Sequence, residues 1–93
     1  MIAPKKYSLA EVRLAIDEAD DIILKALAAR MRAAKYLKIL KKEEGIAVED
    51  PTREKEVKAR WKKRAQELDL PIELPLLLLD ILLAESKSIQ RES

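Results

Sequence analysis

Four polar residues interrupt helix stripes that are otherwise apolar: Arg30, Glu54, Ser86 and Gln90. A guanidinium on such a stripe is costly to bury unless an anion meets it. Ser86 and Gln90 stand four apart, which makes them neighbours on one helical face. Arg30 and Lys41 are eleven residues apart, about 20° from a whole number of turns, so they share a face at roughly 16 Å along the axis. That interval leaves room for a small molecule touched by both long side chains. Two cations, a carboxylate, an amide and a hydroxyl on inward faces describe a pocket for a small polyanion. Arg13 precedes Arg30 by seventeen residues, about 100° off that face and some 25 Å away. It cannot serve the same ligand from the same chain, but an antiparallel second copy could deliver it.

Each residue also has a plainer reading. A lone Arg or Lys on a helix is usually solvated surface, and Glu54 suits a helix start because the dipole favours an acid there. Asp50 reads as a cap, and Ser86 with Gln90 could mark the end of a core. Arg30 stands apart because it replaces a seam residue. The case for a pocket rests on the combination.

These side chains need helices to carry them, and the longest is Leu9 to Glu44. It contains neither Gly nor Pro. Ser8 with Glu11 forms a capping box at its start, and Gly45 ends it. The run is 36 residues, about 54 Å at 1.5 Å per residue. Its seam reads Leu9, Val12, Ile16, Ala19, Ile23, Ala26, Arg30, Ala33, Leu37, Leu40, apolar at every position but Arg30. The rest of the chain is too short to bury a helix of that length, so a second copy is the expected partner. Asp50 and Pro51 then open a second helix, as N-cap and first helical residue. It runs to about Leu68, with an inward stripe of Glu54, Val57, Trp61, Ala65 and Leu68. A third helix begins between Leu70 and Pro75 and continues to the C-terminus along Ile72, Leu76, Leu79, Leu83, Ser86 and Gln90. Residues 1–7 read as a loose lead-in. The expected fold is all-α, a single domain of 93 residues with helices in the order long, short, medium.

Composition narrows the chemistry. Charged residues make up 39% with a net charge of +2, a balanced surface that argues against a dedicated polyanion binder, though local patches survive that argument. Without Cys, thiol and disulfide chemistry is absent, and without His the usual zinc constellations fail. The start of the chain lacks the apolar core of a signal peptide, and the run from Leu74 to Ala84 is broken by Asp80 and too short to span a bilayer. A cytoplasmic setting is expected, with no membrane partner. The lack of Asn, Cys and His beside many Lys, Glu and Arg hints at a thermophilic source.

The stretch from Ile16 through Arg30, IDEADDIILKALAAR, resembles the first helix of the all-helical class of chorismate mutase. Asp50-Pro51-Thr52-Arg53-Glu54 is similar to that family's second-helix entry, and Ser86 with Gln90 to its third-helix pair. Arg13, Arg30, Lys41, Asp50, Arg53, Glu54, Ser86 and Gln90 fit its order and gaps over essentially the whole chain. The resemblance implies an intertwined homodimeric six-helix bundle with two sites, each completed by the partner's long helix. It implies conversion of chorismate to prephenate, with no cofactor and no metal. Arg30 and the partner's Arg13 would grip the two substrate carboxylates, with Arg53 near the ring carboxylate. Glu54 and the Asp50 region would receive the hydroxyl, Lys41 and Gln90 would donate to the ether oxygen, and Ser86 would help seat a carboxylate. Lys38 and Lys42 flank Lys41 as alternative ammonium groups, although the spacing favours Lys41.

Two rival readings belong to other classes. A non-catalytic dimeric helical module would need only the seam, but it leaves Arg30 and Gln90 unexplained. A nucleic-acid binder could use the basic run Lys58-Ala59-Arg60-Trp61-Lys62-Lys63-Arg64. Trp61 fits better as core, with the cations as its solvated opposite face, so no nucleic-acid partner is expected.

Overall fold

The computed structural model describes residues 6–92, which form three helices: α1 (Leu9–Glu44), α2 (Pro51–Glu67) and α3 (Glu73–Arg91). Most of the expected lead-in lies outside the described residues; Lys6 and Tyr7, within them, are exposed. No strand occurs among the described residues, and no helix there is long and apolar enough to cross a membrane.

Local chemistry sets the helix ends. The Ser8 N–H donates to Glu11 Oε1 at 3.0 Å and the Glu11 N–H donates back to Ser8 Oγ at 3.1 Å, closing the capping box. These Ser8 bonds, the backbone one first, hold the Glu11 carboxyl below its usual range. A lowered folded value means that this support is present above the ordinary carboxylate range and fades as pH falls through the lowered value. At the other end Gly45 takes φ 69°, while Ile46 N–H reaches Lys41 O at 2.8 Å and Gly45 N–H reaches Lys42 O at 3.4 Å. This is a Schellman closure, with glycine in the left-handed position that a side chain would strain. α2 opens on Asp50, whose Oδ1 accepts the Arg53 N–H at 3.1 Å, with Pro51 in the first turn. It closes on the same motif as α1: Leu70 N–H to Ala65 O at 2.8 Å and Asp69 N–H to Gln66 O at 3.1 Å, with Asp69 at φ 56°. Asp is one of the few non-glycine residues that adopt this conformation readily. α3 begins at Glu73 after an Ile72 that lacks a side-chain cap, and Pro75 sits in the first turn, where its missing N–H costs nothing.

The chain divides into two compact units, and the boundary falls inside α1, between Arg30 and Met31. The first unit carries the N-terminal part of α1. Its seam residues Leu9, Val12, Ile16 and Ile23 are all exposed, as are Leu14, Ile22 and Leu24; only Leu27 and Arg30 are half-buried.

In the second unit α2 and α3 pack against one another. The centre of the packing is Leu79, fully buried, with Ala65 at 2% exposure and Ile89 at 5%. Val57, Trp61, Leu76 and Leu83 are half-buried, and the whole α3 stripe from Ile72 to Gln90 is covered as its spacing predicts. Leu68 departs from the expected α2 stripe. It is the C-cap residue, 57% exposed, at the point where the chain leaves the helix axis to make the Asp69 turn. It borders an apolar groove of about 420 Å³ whose lining includes Trp61, Leu70, Leu74 and Leu78.

The C-terminal part of α1 departs as well. Ala33, Leu37 and Leu40 of the apolar seam are exposed, whereas Ala34 is buried and Lys38 and Lys41 are half-buried. Hydrophobic periodicity locates the greasy face, but the face covered within the chain is its neighbour. Lysine stems can cover apolar surface while their ammonium groups stay with polar partners.

Leu79→Ala is expected to lower the unfolding free energy by about 2–5 kcal/mol, because it empties a site with no exposed surface. Urea unfolding at fixed protein concentration reads this directly, and an unchanged midpoint would deny Leu79 its place in the core.

Candidate active site

Lys41 is held at both ends by the α1–α2 connection. Its carbonyl accepts the Ile46 N–H of the Schellman turn, and its Nζ donates to the Val48 carbonyl at 2.8 Å. The ammonium is therefore aimed by the four residues of backbone, 45–48, that follow the helix, and the glycine turn that allows this is dictated by sequence.

Gln90 comes to the same place from α3. It is 8% exposed, and its Nε2 donates to Ser86 Oγ at 3.0 Å and to Ser86 O at 3.2 Å. Its Oε1 is buried without a partner among the described residues. Lys41 and Gln90 line one cavity of about 280 Å³, together with Lys38, Lys42 and Val48. Buried polar atoms are nearly always hydrogen-bonded, so this carboxamide oxygen beside a lysine-lined cavity is an exception. Lys41 and Gln90 thus line one cavity, and Ser86 reaches it through its hydrogen bonds with Gln90.

The first turn of α2 carries the remaining acidic and basic candidates. Asp50 caps the helix through the Arg53 N–H. The Arg53 guanidinium is exposed and lies 3.6 Å from Glu56. Glu54 is half-buried, with Oε2 3.4 Å from Lys87 Nζ, and it lines a second cavity of about 310 Å³ with Pro51, Asp80 and Lys87. Glu54 does not line the cavity of Lys41 and Gln90. Arg13 and Arg30 belong to the first unit, where Arg13 is exposed and Arg30 half-buried. Trp61 lines the apolar groove with Ala65 and Leu78, while Lys58, Lys62 and Lys63 are exposed.

Two participants were out of reach of sequence reasoning. Val48 acts through its carbonyl, which carries no side-chain signal. Lys87 meets Glu54 only because α2 and α3 pack in one particular register. Lys38 is different: it precedes Lys41 by three residues, and that spacing alone places both on one face.

The family model described as chorismate mutase type II matches residues 12–91 of this chain. A chorismate mutase from Methanocaldococcus jannaschii is 36% identical over 84 residues, covering 90% of this chain and 85% of that protein. No solved structure gives a significant match.

A buried acceptor left without a partner costs about 1–3 kcal/mol, which offsets what the Ser86 bonds contribute. Gln90→Met, similar in length and volume, is therefore expected to leave stability unchanged or to raise it by about 1 kcal/mol in urea unfolding. A clear loss would mean that the amide is fully satisfied in the folded chain.

Proposed function

The chain belongs to the type II chorismate mutase family and so is an isomerase that rearranges chorismate to prephenate; we propose that it does so as a homodimer, with Lys41 and Gln90 directed at the breaking ether bond. The reaction is an intramolecular Claisen rearrangement. One C–O bond breaks while one C–C bond forms in the same molecule, so it calls for neither a proton transfer nor a nucleophile. Catalysis then consists of holding the reactive chair-like conformer and stabilising charge that develops on the ether oxygen.

The observation that carries this reading is the shared cavity of Lys41 and Gln90, with its unsatisfied carboxamide. Lys41 supplies a positive charge held in place by Val48 O. Half a turn of the Gln90 amide would hand Oε1 to the Ser86 hydroxyl, which can donate, and would present Nε2–H to the ether oxygen. On this reading the single hydroxyl proton of Ser86 serves to orient Gln90. Arg30 and the partner subunit's Arg13 bind the two carboxylates, with Arg53 near the ring carboxylate; arginine's planar fork suits such bidentate pairing. Glu54 and the Asp50 region take the ring hydroxyl.

The homodimer reading is supported by the exposed apolar seam of α1 and by the open groove along Trp61, Leu68 and Leu74. Exposed patches of that kind ordinarily mark an interface. A cytoplasmic setting, with neither nucleic acid nor membrane as partner, completes the reading; the balanced surface charge favours it.

Loss of chorismate absorbance with the purified chain tests the activity. Lys41→Ala and Gln90→Ala are each expected to lower kcat by about 10²–10³, the usual cost of one transition-state donor, and Ser86→Ala by less. Equal turnover in all three would remove the assignment. Mixing Arg13→Ala with Arg30→Ala protein should restore activity, because one site of each mixed dimer is then intact. No recovery after subunit exchange would mean that each chain builds its site alone.

A further inference from the structure

Gln90 sits one residue before the end of α3, where helices ordinarily fray. Only Arg91 follows it within the helix, and a donor in the last turn is useful only while that turn stays wound. Arg91 Nη2 donates to Glu49 Oε1 at 2.8 Å, an ion pair that joins residues 42 apart in the sequence. Glu49 directly follows Val48, whose carbonyl fixes the Lys41 ammonium. Two adjacent residues of the α1–α2 connection thus hold, in turn, Lys41 and the turn that bears Gln90.

We propose that Arg91 and Glu49 are positioning residues for this reaction: their ion pair pins the last turn of α3 to the connection that anchors Lys41, and so keeps Gln90 in register with it. The inference rests on the assignment of Gln90 as a transition-state donor. Both side chains are more than half exposed, at 56% and 58%, so the pair contributes little to global stability. Its leverage is local. Opening a terminal turn requires almost no free energy, so a weak tether there changes the ordered population appreciably. The usual strength of an exposed pair sets a ceiling of about five-fold on the change in kcat, and about two-fold is expected where the free turn is open half the time. Because the ether oxygen gains charge in the transition state, the loss falls on kcat and leaves KM in place.

The test uses the full chain with chorismate as substrate. Arg91→Met and Glu49→Ala should each lower kcat about two- to five-fold, with KM and melting temperature unchanged. The double variant should lose no more than either single one, and Arg91→Lys should retain most of the rate. In a Gln90→Ala background, Arg91→Met should have no further effect. A wild-type kcat in both single variants overturns the proposal, as does a loss that persists without Gln90 or appears in KM alone. A wild-type rate for Gln90→Ala would instead sink the donor assignment itself, and the tether with it.

Discussion

The apolar stripe of α1 is the constraint on which the rest of the molecule depends. A 36-residue helix places Leu9, Val12, Ile16, Ile23, Leu37 and Leu40 along one seam, and all six remain 36–65% exposed. Burying a Leu, Ile or Val completely is worth about 1.5–3 kcal/mol, so covering what these six expose would release on the order of 5–10 kcal/mol per chain. Two chains together would release an amount of the same order as the roughly 4–15 kcal/mol that association consumes in lost freedom, and above most of that range. The proposed dimer is thus the arrangement in which this helix ceases to be a liability. In the proposed site it would also supply Arg13 from the partner subunit.

Against that seam, the polar face of α1 has a different task. Ala34, Lys38 and Lys41 form the side that the chain covers for itself, and Lys41 lines the same cavity as Gln90. The connection after Gly45 does more than join two helices. Its turn accepts the end of α1, its Val48 carbonyl holds the ammonium, and its Asp50 caps α2. In the proposed mechanism, conformational restriction and charge stabilisation need no nucleophile, and groups fixed in this way would serve them.

Much of this was readable in the sequence because helix ends are written locally. Ser8 with Glu11, Gly45, and Asp50 with Pro51 each act over four residues or fewer, and each lies where its chemistry puts it. The family likewise was legible from the order of Arg13 through Gln90, because its pattern is spaced along whole helices. What escaped depends on tertiary register. The pairing of Glu54 with Lys87 needs α2 laid on α3, and the Leu68 side chain turns outward because the chain reverses there. Apolar periodicity picked out Ala33, Leu37 and Leu40, which are exposed, and passed over the flanking Lys38 and Lys41 that the chain covers. Pattern alone could not say which of two adjacent faces meets the same chain and which awaits another.

That distinction leads to the most direct measurement, sedimentation equilibrium of the purified chain across micromolar concentrations without substrate. The account predicts the mass of two chains throughout, since the seam of α1 is to be covered whether or not a ligand is bound. A mass of one chain, with chorismate still turned over, would contradict it: the site would then be built by a single copy, and the exposed stripe of α1 would need another explanation.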